Sequence, residues 1–287
     1  MNKIRKVKLT LKSRPTIEGA GVRLKRAFGY ADSSLDPFLL LDDFHSDDPN
    51  DYIAGFPWHP HRGIETITYM LHGKIEHGDS LGNGGVIEEG DVQWMTAGSG
   101  IIHQEMPKRD NSKPLLWGFQ LWANLPAAHK MRDPRYRDIK KNQIPEVKAG
   151  NGVKVKIICG EINGIKGPVQ DIVTEPEYLD VQVEAHSEFK HSTKKENNVI
   201  AYVIQGEAYF DESNDKLVGA EGLVLYQEGD EILIRTVNNG VRFLLISGKP
   251  LREPVAWRGP IVMNTDEELK IAFREFENGT FIKHHTK

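Results

Sequence analysis

The chain has very little cysteine, since Cys159 is the single one among its 287 residues. One thiol excludes an internal disulfide and suits a reducing compartment, so we expect a cytoplasmic protein. The preceding residues, Ile157 and Ile158, are apolar. We therefore interpret Cys159 as a small core residue and not as a nucleophile.

Long apolar runs and an excess of positive charge are also missing. No window approaches the ~20 apolar residues that span a bilayer. The basic residues within positions 3–14 are not followed by the apolar run of a signal peptide. Lysine and arginine number 37 against 41 aspartate and glutamate, and the formal net charge is −4. We therefore expect neither a membrane protein nor direct binding of nucleic acid.

The chain does contain many short segments rich in apolar and β-branched residues, separated by Gly, Asn and Asp turns. This pattern is typical of β-sandwiches and barrels. The clearest candidate strands are residues 38–42, 64–71, 92–95 and 115–122. In the last of these, alternation places Leu116, Gln120 and Trp122 on one face of the strand. We therefore predict an all-β fold.

One helix and one domain boundary interrupt this pattern. Residues 264–276 have helical spacing, with Asn264 or Thr265 as the cap and Gly279 as the stop. A proline-rich basic stretch, residues 126–152, indicates an extended connector between domains. We place the boundary within it, giving domains of residues 1–135 and 136–287.

Two pairs of polar residues stand out within the predicted strands. His59 and His61 are separated by one residue, and so are His103 and Glu105. Residues at this spacing share one face of a strand, so each pair projects together. If the two strands face each other across a barrel, three imidazoles and one carboxylate converge. Such a group is a mixed nitrogen and oxygen metal site.

A simpler interpretation needs no metal. His59 and His61 could cap a loop beside Pro57 and Pro60, with His103 packed in a core. One His-x-His pair would not distinguish these interpretations. Two pairs on strand-like segments joined by a hairpin region favour the metal site.

The second half of the chain repeats the first in degraded form. Residues 65–73 align with 198–206, and Glu89–Asp91 aligns with Glu228–Asp230. Under these two offsets the four candidate ligand positions fall on Ser192, Lys194, Arg242 and Leu244. None of the four ligands survives. We therefore predict a metal-binding domain, residues 1–135, followed by a copy, residues 136–287, without metal ligands.

Several segments together resemble the pirin family, which lies within the cupin superfamily. They are residues 56–66, 90–105 and 120–126, with a further likeness in residues 259–265. The resemblance extends over essentially the whole chain. It implies two tandem cupin barrels, also called double-stranded β-helix or jelly-roll barrels, and a short C-terminal helix that packs back on the first barrel.

The resemblance also implies a ligand set. It assigns the metal to His59, His61, His103 and Glu105, and leaves Glu65 outside. Glu65 follows His61 by four residues and shares its face if no bulge intervenes. We favour Glu105 as the fourth ligand because its reach is shorter. The cofactor is one divalent ion, with Fe(II) favoured and Mn, Ni, Cu or Zn as alternatives, since ligand type alone does not choose among them.

Two functions follow from this resemblance. Bacterial pirin-like proteins are associated with quercetin 2,3-dioxygenase activity, in which a flavonol-like molecule and dioxygen react with release of carbon monoxide. Glu105 or Glu65 would then be the general base that takes the 3-hydroxyl proton. Eukaryotic pirins instead suggest a non-enzymatic, metal- or redox-sensing regulator that binds a protein partner. An apolar cavity that reaches the metal favours catalysis, whereas a sealed metal under a charged patch favours regulation.

A third function is disfavoured. A metal-dependent isomerase of sugar phosphates would need a basic cluster beside the metal, and Arg62 is the one obvious candidate there.

Overall fold

The computed structural model describes residues 3–110 and 112–284. The strands are β1 Val7–Lys12, β2 Arg14–Glu18, β3 Val22–Gly29, β4 Phe38–Ser46, β5 Phe56–His61, β6 Ile64–His72, β7 Ile75–Asp79, β8 Gly84–Ile87, β9 Val92–Thr96, β10 Ile101–Pro107, β11 Leu116–Asn124, β12 Arg135–Ile139, β13 Glu146–Lys148, β14 Val153–Cys159, β15 Glu161–Ile162, β16 Ile165–Lys166, β17 Glu177–Val183, β18 Glu188–Ser192, β19 Asn198–Ala208, β20 Val218–Gly219, β21 Gly222–Tyr226, β22 Glu231–Arg235, β23 Val241–Gly248, β24 Ala256–Arg258 and β25 Ile261–Met263. The helices are α1, Asp266–Glu277, and the short 3₁₀ helices Pro49–Asp51, Ala127–His129 and Lys141–Gln143.

These elements form two compact units, which we call the first and second barrel. The first barrel comprises Arg14–Ala31, Phe38–Lys141 and the segment from Arg252 onward. The second comprises the segment up to Ser13, Asp32–Pro37 and Asn142–Leu251. The predicted division at residues 135 and 136 falls within β12.

The prediction of an extended connector over residues 126–152 is wrong at β12. This strand pairs antiparallel with β9 and is the edge of the large sheet of the first barrel. Arg135 is exposed on this strand, whereas Tyr136 and Arg137 are both partly buried. Positive side chains are common on edge strands, where they discourage pairing with another chain. The same charges had suggested a solvated connector.

The first barrel is built mainly from two antiparallel sheets, and β24 and β25 add a small two-stranded sheet. The larger has the strand order β12-β9-β6-β11-β4-β3-β2, and the smaller has the order β5-β10-β7-β8. Strand β6 is buried along most of its length and lies between β9 and β11. The predicted strands at 38–42, 64–71, 92–95 and 115–122 are all confirmed, and so is the all-β class.

The second barrel repeats this order. Its large sheet runs β1-β21-β19-β23-β17-β14-β13, and β18 pairs with β22 as β5 pairs with β10. Strand β19 therefore corresponds to β6, which confirms the alignment of residues 65–73 with 198–206.

The second predicted alignment is wrong. Glu89–Asp91 precedes β9, whereas Glu228–Asp230 precedes β22, which corresponds to β10. Arg242 and Leu244 lie on β23, the counterpart of β11, so they do not correspond to His103 and Glu105. The short Glu-Gly-Asp sequence suits a tight turn before any strand, and it recurs before two different ones.

The predicted helix is confirmed as α1. Thr265 is its cap, because the Glu268 amide donates to the Thr265 hydroxyl at 3.2 Å. The Glu268 carboxylate in turn accepts from the backbone amide of Asn264, one residue before the cap, at 2.8 Å. Leu269 and Ala272 are buried, so this face of the helix packs on the first barrel. Within residues 3–110 and 112–284, the helices are all too short or too polar to cross a bilayer.

Candidate metal centre

The paired strands β5 and β10 bring three histidines together. Across this antiparallel pair His103 lies opposite His59, and Ile101 lies opposite His61. The ring centroids are 4.4 Å apart for His59 and His103 and 5.0 Å apart for His61 and His103. One nitrogen from each ring lies within 4.8 Å of the other two. The predicted convergence of the imidazoles is therefore present in the structure.

Hydrogen bonds fix the orientation of two of these rings. His59 Nδ1 is 2.8 Å from the Pro57 carbonyl oxygen, and His61 Nδ1 is 2.9 Å from the Pro260 carbonyl oxygen. A carbonyl only accepts, so both Nδ1 atoms carry the hydrogen and donate it. In the neutral rings both Nε2 atoms then carry lone pairs, and they face each other at 3.1 Å. Two facing lone pairs repel unless a cation lies between them.

The third ring provides the same signal. His103 is buried, and its Nε2 has no hydrogen-bond partner. Burial, reinforced by the neighbouring histidines, lowers the pKa of His103 well below its ordinary value and that of His61 to about 3. These rings are therefore neutral at physiological pH, which is the form that binds metals. A buried unpaired nitrogen beside two facing lone pairs fits a divalent cation.

Glu105 lies beside this group but is not one of its members. The pairing of β5 with β10 shifts register beside Glu105, because β5 advances by three residues, from His59 to Phe56, while β10 advances by two. Its Oε1 accepts a hydrogen bond from the Thr68 hydroxyl at 2.9 Å. Burial raises the pKa of the Glu105 carboxyl, and the hydrogen bond from Thr68 acts in the opposite direction. Its role as fourth ligand stays a prediction.

Glu65 occupies a different environment. Its Oε1 accepts a hydrogen bond from the Thr96 hydroxyl at 2.6 Å, and burial raises the pKa of its carboxyl. Glu65 is absent from the residues that line the cavity at the histidines. The structure therefore brings Glu105, and not Glu65, to the histidine group.

A cavity of about 720 Å³ leads to this group. Its walls are mainly apolar, and His59, His61 and Glu105 lie at its surface. The predicted face of β11 is confirmed, because the lining includes Leu116, Gln120 and Trp122. Trp122 meets the His61 ring edge to face, with a centroid distance of 5.0 Å.

Further polar groups in the cavity wall, among them Arg26, Asp42 and Thr68, were not predicted from the sequence. The Arg26 guanidinium donates two hydrogen bonds to the Asp42 carboxylate, at 2.8 and 2.7 Å, and its Nη1 lies 2.8 Å from Glu18. The Gln120 side chain lies 2.7 Å from the Thr68 hydroxyl, so a hydrogen-bond chain extends from Glu105 into the cavity. Thr68 could have been found as a polar residue at an inward position of an apolar strand, whereas Gln120 lies on the face of β11 that the sequence predicted.

The two sheets define a cupin barrel, and the second half of the chain forms the same barrel. The histidine group lies in the first of these barrels. Family models described as Pirin and as Pirin C-terminal cupin domain match residues 21–123 and 178–282. The Pirin-like protein of Caulobacter vibrioides is 41% identical over 280 residues, covering 97% of this chain and 99% of that protein. Human Pirin is 40% identical over 283 residues, covering 97% of this chain and 94% of that protein. The chain belongs to the pirin family.

A solved structure extends this likeness to the fold. The crystal structure of quercetin 2,3-dioxygenase from Acinetobacter baumannii superimposes with a TM-score of 0.89 at 30% sequence identity. The match covers 97% of this chain and 98% of that chain. Both cupin barrels are therefore shared with that protein.

Proposed function

We propose that this protein is a metal-dependent cupin dioxygenase that opens the ring of flavonols such as quercetin. One divalent ion, Fe(II) in the first place, would be held by His59, His61, His103 and Glu105. The metal centre belongs to the predicted domain of residues 1–135, and we propose that residues 136–287 lack one. The lone cysteine suits a cytoplasmic location.

The observation that carries this proposal is the cavity. Its volume of about 720 Å³ and mainly apolar walls suit a planar aromatic ligand, and it reaches the metal-binding histidines directly. A purely structural metal would need no such access. The similarity to the Acinetobacter baumannii enzyme supports the same substrate class.

The residues of the chain have distinct tasks in this proposal. The ion would supply Lewis acidity, which favours the anionic form of a hydroxyl beside it. Glu105 is placed to accept the flavonol 3-hydroxyl proton, and burial makes its carboxylate a stronger base. Thr68 holds one oxygen of this carboxylate. Arg26 and Asp42 offer polar groups to the hydroxyls at the other end of the ligand.

The test is turnover of quercetin by metal-reconstituted protein. Metal-free protein is loaded anaerobically with Fe(II), mixed with quercetin and exposed to air, and the flavonol absorbance, dioxygen uptake and carbon monoxide are followed. We expect one dioxygen consumed and one carbon monoxide released per flavonol, with both activities lost in His59→Ala. His129→Ala is the matched control, since His129 is exposed and ends a 3₁₀ helix. Unchanged turnover in His59→Ala would overturn the proposal.

The regulatory alternative is distinguished by the same experiment. The regulatory function predicts that the protein binds metal stoichiometrically but does not consume flavonol, whichever divalent ion is loaded. The open, apolar cavity disfavours it, because a redox-sensing metal needs no route for a ligand of this size.

A further inference from the structure

We infer that residues 256–281, which we call the C-terminal segment, are a working part of the metal centre. The C-terminal segment orients the His61 ring. The buried side chain of Arg62, the next residue along the chain, contacts this segment and holds it beside β5. This inference rests on the proposed metal binding by His61. It adds a positioning role for residues that lie about two hundred positions away in the chain.

The first step is the hydrogen bond on His61. Its Nδ1 donates to the Pro260 carbonyl oxygen at 2.9 Å, which leaves Nε2 free to bind a cation. Metal-binding histidines commonly donate their other ring nitrogen to a carbonyl, and loss of such a partner weakens metal binding by about 10–100-fold. The Pro260 carbonyl is this partner for His61, and the Pro57 carbonyl is the corresponding partner for His59.

The second step is the backbone beside this bond. The Val262 amide donates to the Arg62 carbonyl at 3.1 Å. A Cβ added to Gly63 would lie 1.9 Å from the Val262 carbonyl oxygen, so this close approach requires glycine. The buried Lys130 ammonium donates to the Gly63 carbonyl at 2.9 Å and to the Val262 carbonyl at 3.4 Å. The chain just after His61 is therefore fixed to β25.

The third step is Arg62, whose side chain is 2% exposed. Its Nη1 lies 2.8 Å from Glu275, its Nη2 donates to the Phe281 carbonyl at 2.9 Å, and the guanidinium lies 4.2 Å from the centroid of the Phe281 ring. A buried charge is tolerated only with such partners. All of these partners belong to the C-terminal segment. Arg62 therefore holds that segment in place.

The same segment also forms part of the cavity wall. Trp257, Gly259 and Pro260 line the cavity, and the Trp257 ring lies 6.0 Å from that of Trp122. Trp122 in turn contacts His61. A displacement of the C-terminal segment would therefore change both the ring that binds metal and the space beside it.

The test compares metal release from variants on both sides of this contact. Arg62→Gln removes the buried charge. Arg62→Lys keeps a positive charge but lacks the planar set of guanidinium donors. Glu275→Ala removes the partner of Arg62 on α1. Lys270→Gln is the matched control, because Lys270 pairs with Glu267 on the exposed face of α1. Protein loaded with Co(II) is mixed with excess chelator, and the release rate and visible spectrum are recorded. Circular dichroism checks folding.

We expect Arg62→Gln and Glu275→Ala to release Co(II) at least about tenfold faster than wild type and to alter its spectrum. Arg62→Lys should recover part of the difference, and Lys270→Gln should match wild type. If Arg62→Gln does not fold, Glu275→Ala carries the test. Wild-type release rates and spectra in folded Arg62→Gln or Glu275→Ala would overturn the inference.

Flavonol turnover is read separately from metal release. Metal bound by wild type without flavonol consumption would defeat the proposed activity and leave the positioning role intact. A wild-type chain that binds no ion would overturn both.

Discussion

The two barrels share one strand order and differ in what fills them. In the first, β5 and β10 carry the three histidines of the candidate metal centre. In the second, the corresponding strands β18 and β22 place Phe189, Ile232 and Ile234 in the core, each fully buried. The same strand order therefore holds either an open cavity that leads to a histidine group or a closed apolar core.

The large sheets of the two barrels have the same register but different residues at matched positions. Tyr69 lies opposite Phe119 in the first barrel as Tyr202 lies opposite Leu244 in the second. One position along, the pair Thr68 and Gln120 corresponds to the pair Ala201 and Leu245, which belongs to the apolar core. Buried polar groups cost free energy unless they are paired. The second barrel forms the same paired strands without this polar pair, so the fold itself does not require it.

The largest predicted difference between the two barrels is in turnover after one histidine is removed from each. His59→Ala should lower quercetin turnover by about a thousandfold or more, on the order of 4 kcal/mol, because the metal is lost. His191→Ala in the second barrel removes the hydrogen bond between His191 Nε2 and Glu177 and should leave turnover per folded molecule unchanged. Steady-state kinetics on metal-loaded proteins measures both. Equal losses in the two variants would contradict a single metal centre.

The apolar core of the second barrel should matter for stability and not for turnover. Phe189→Ala should lower the free energy of unfolding by about 3–5 kcal/mol, since it opens a cavity among buried side chains. Denaturation in urea gives this value. Turnover per folded molecule should stay at the wild-type level. A loss of turnover per folded molecule would instead indicate that the second barrel contributes to catalysis.

A milder change makes the first barrel resemble the second. Gln120→Leu copies the residue at the corresponding position, and should change the free energy of unfolding by no more than about 1 kcal/mol, since Thr68 still holds Glu105. We expect turnover to fall by roughly tenfold, which is one hydrogen bond at about 1.4 kcal/mol. Denaturation and kinetics on the same preparation compare the two effects. Full activity would show that the hydrogen-bond chain is dispensable.

The smallest effect concerns pH and the C-terminal segment. Burial opposes ionisation of Glu275, but Lys283 and Arg62 hold the pKa of its carboxyl below the ordinary 4.5. The folded chain then binds this proton less tightly than the unfolded chain, so the ionised group stabilises the fold above pH 4.5 and loses that effect as pH falls. Glu275→Gln should cost no more than about 1 kcal/mol at pH 7, because the side chain is partly solvated. Denaturation at pH 7 and pH 4 should show the difference shrinking on acidification; a constant difference would exclude the ion pair as its cause.

The parts that follow from local periodicity were predictable from the sequence. The shared faces of His59 with His61, and of Leu116 with Gln120 and Trp122, depend only on alternation along a strand. The cap at Thr265 depends on neighbours within one turn. A two-residue period carries this information without knowledge of the rest of the chain.

The parts that involve distant backbone atoms were not predictable. The carbonyl of Pro260 orients His61 from 199 residues away, and any residue type supplies a carbonyl. Strand β12 was missed because its basic residues resemble a solvated connector. The extra residue that β5 carries opposite His103 and Glu105 was also missed, because such a register shift has no signature in the residues themselves.

Metal content tests the central claim most directly. Protein purified without added metal, and a His103→Ala variant prepared in the same way, are compared by elemental analysis. We predict close to one divalent transition metal ion per wild-type chain and a small fraction of that in His103→Ala. A wild-type chain without metal, or a variant with the same content, would contradict a metal centre built from these histidines.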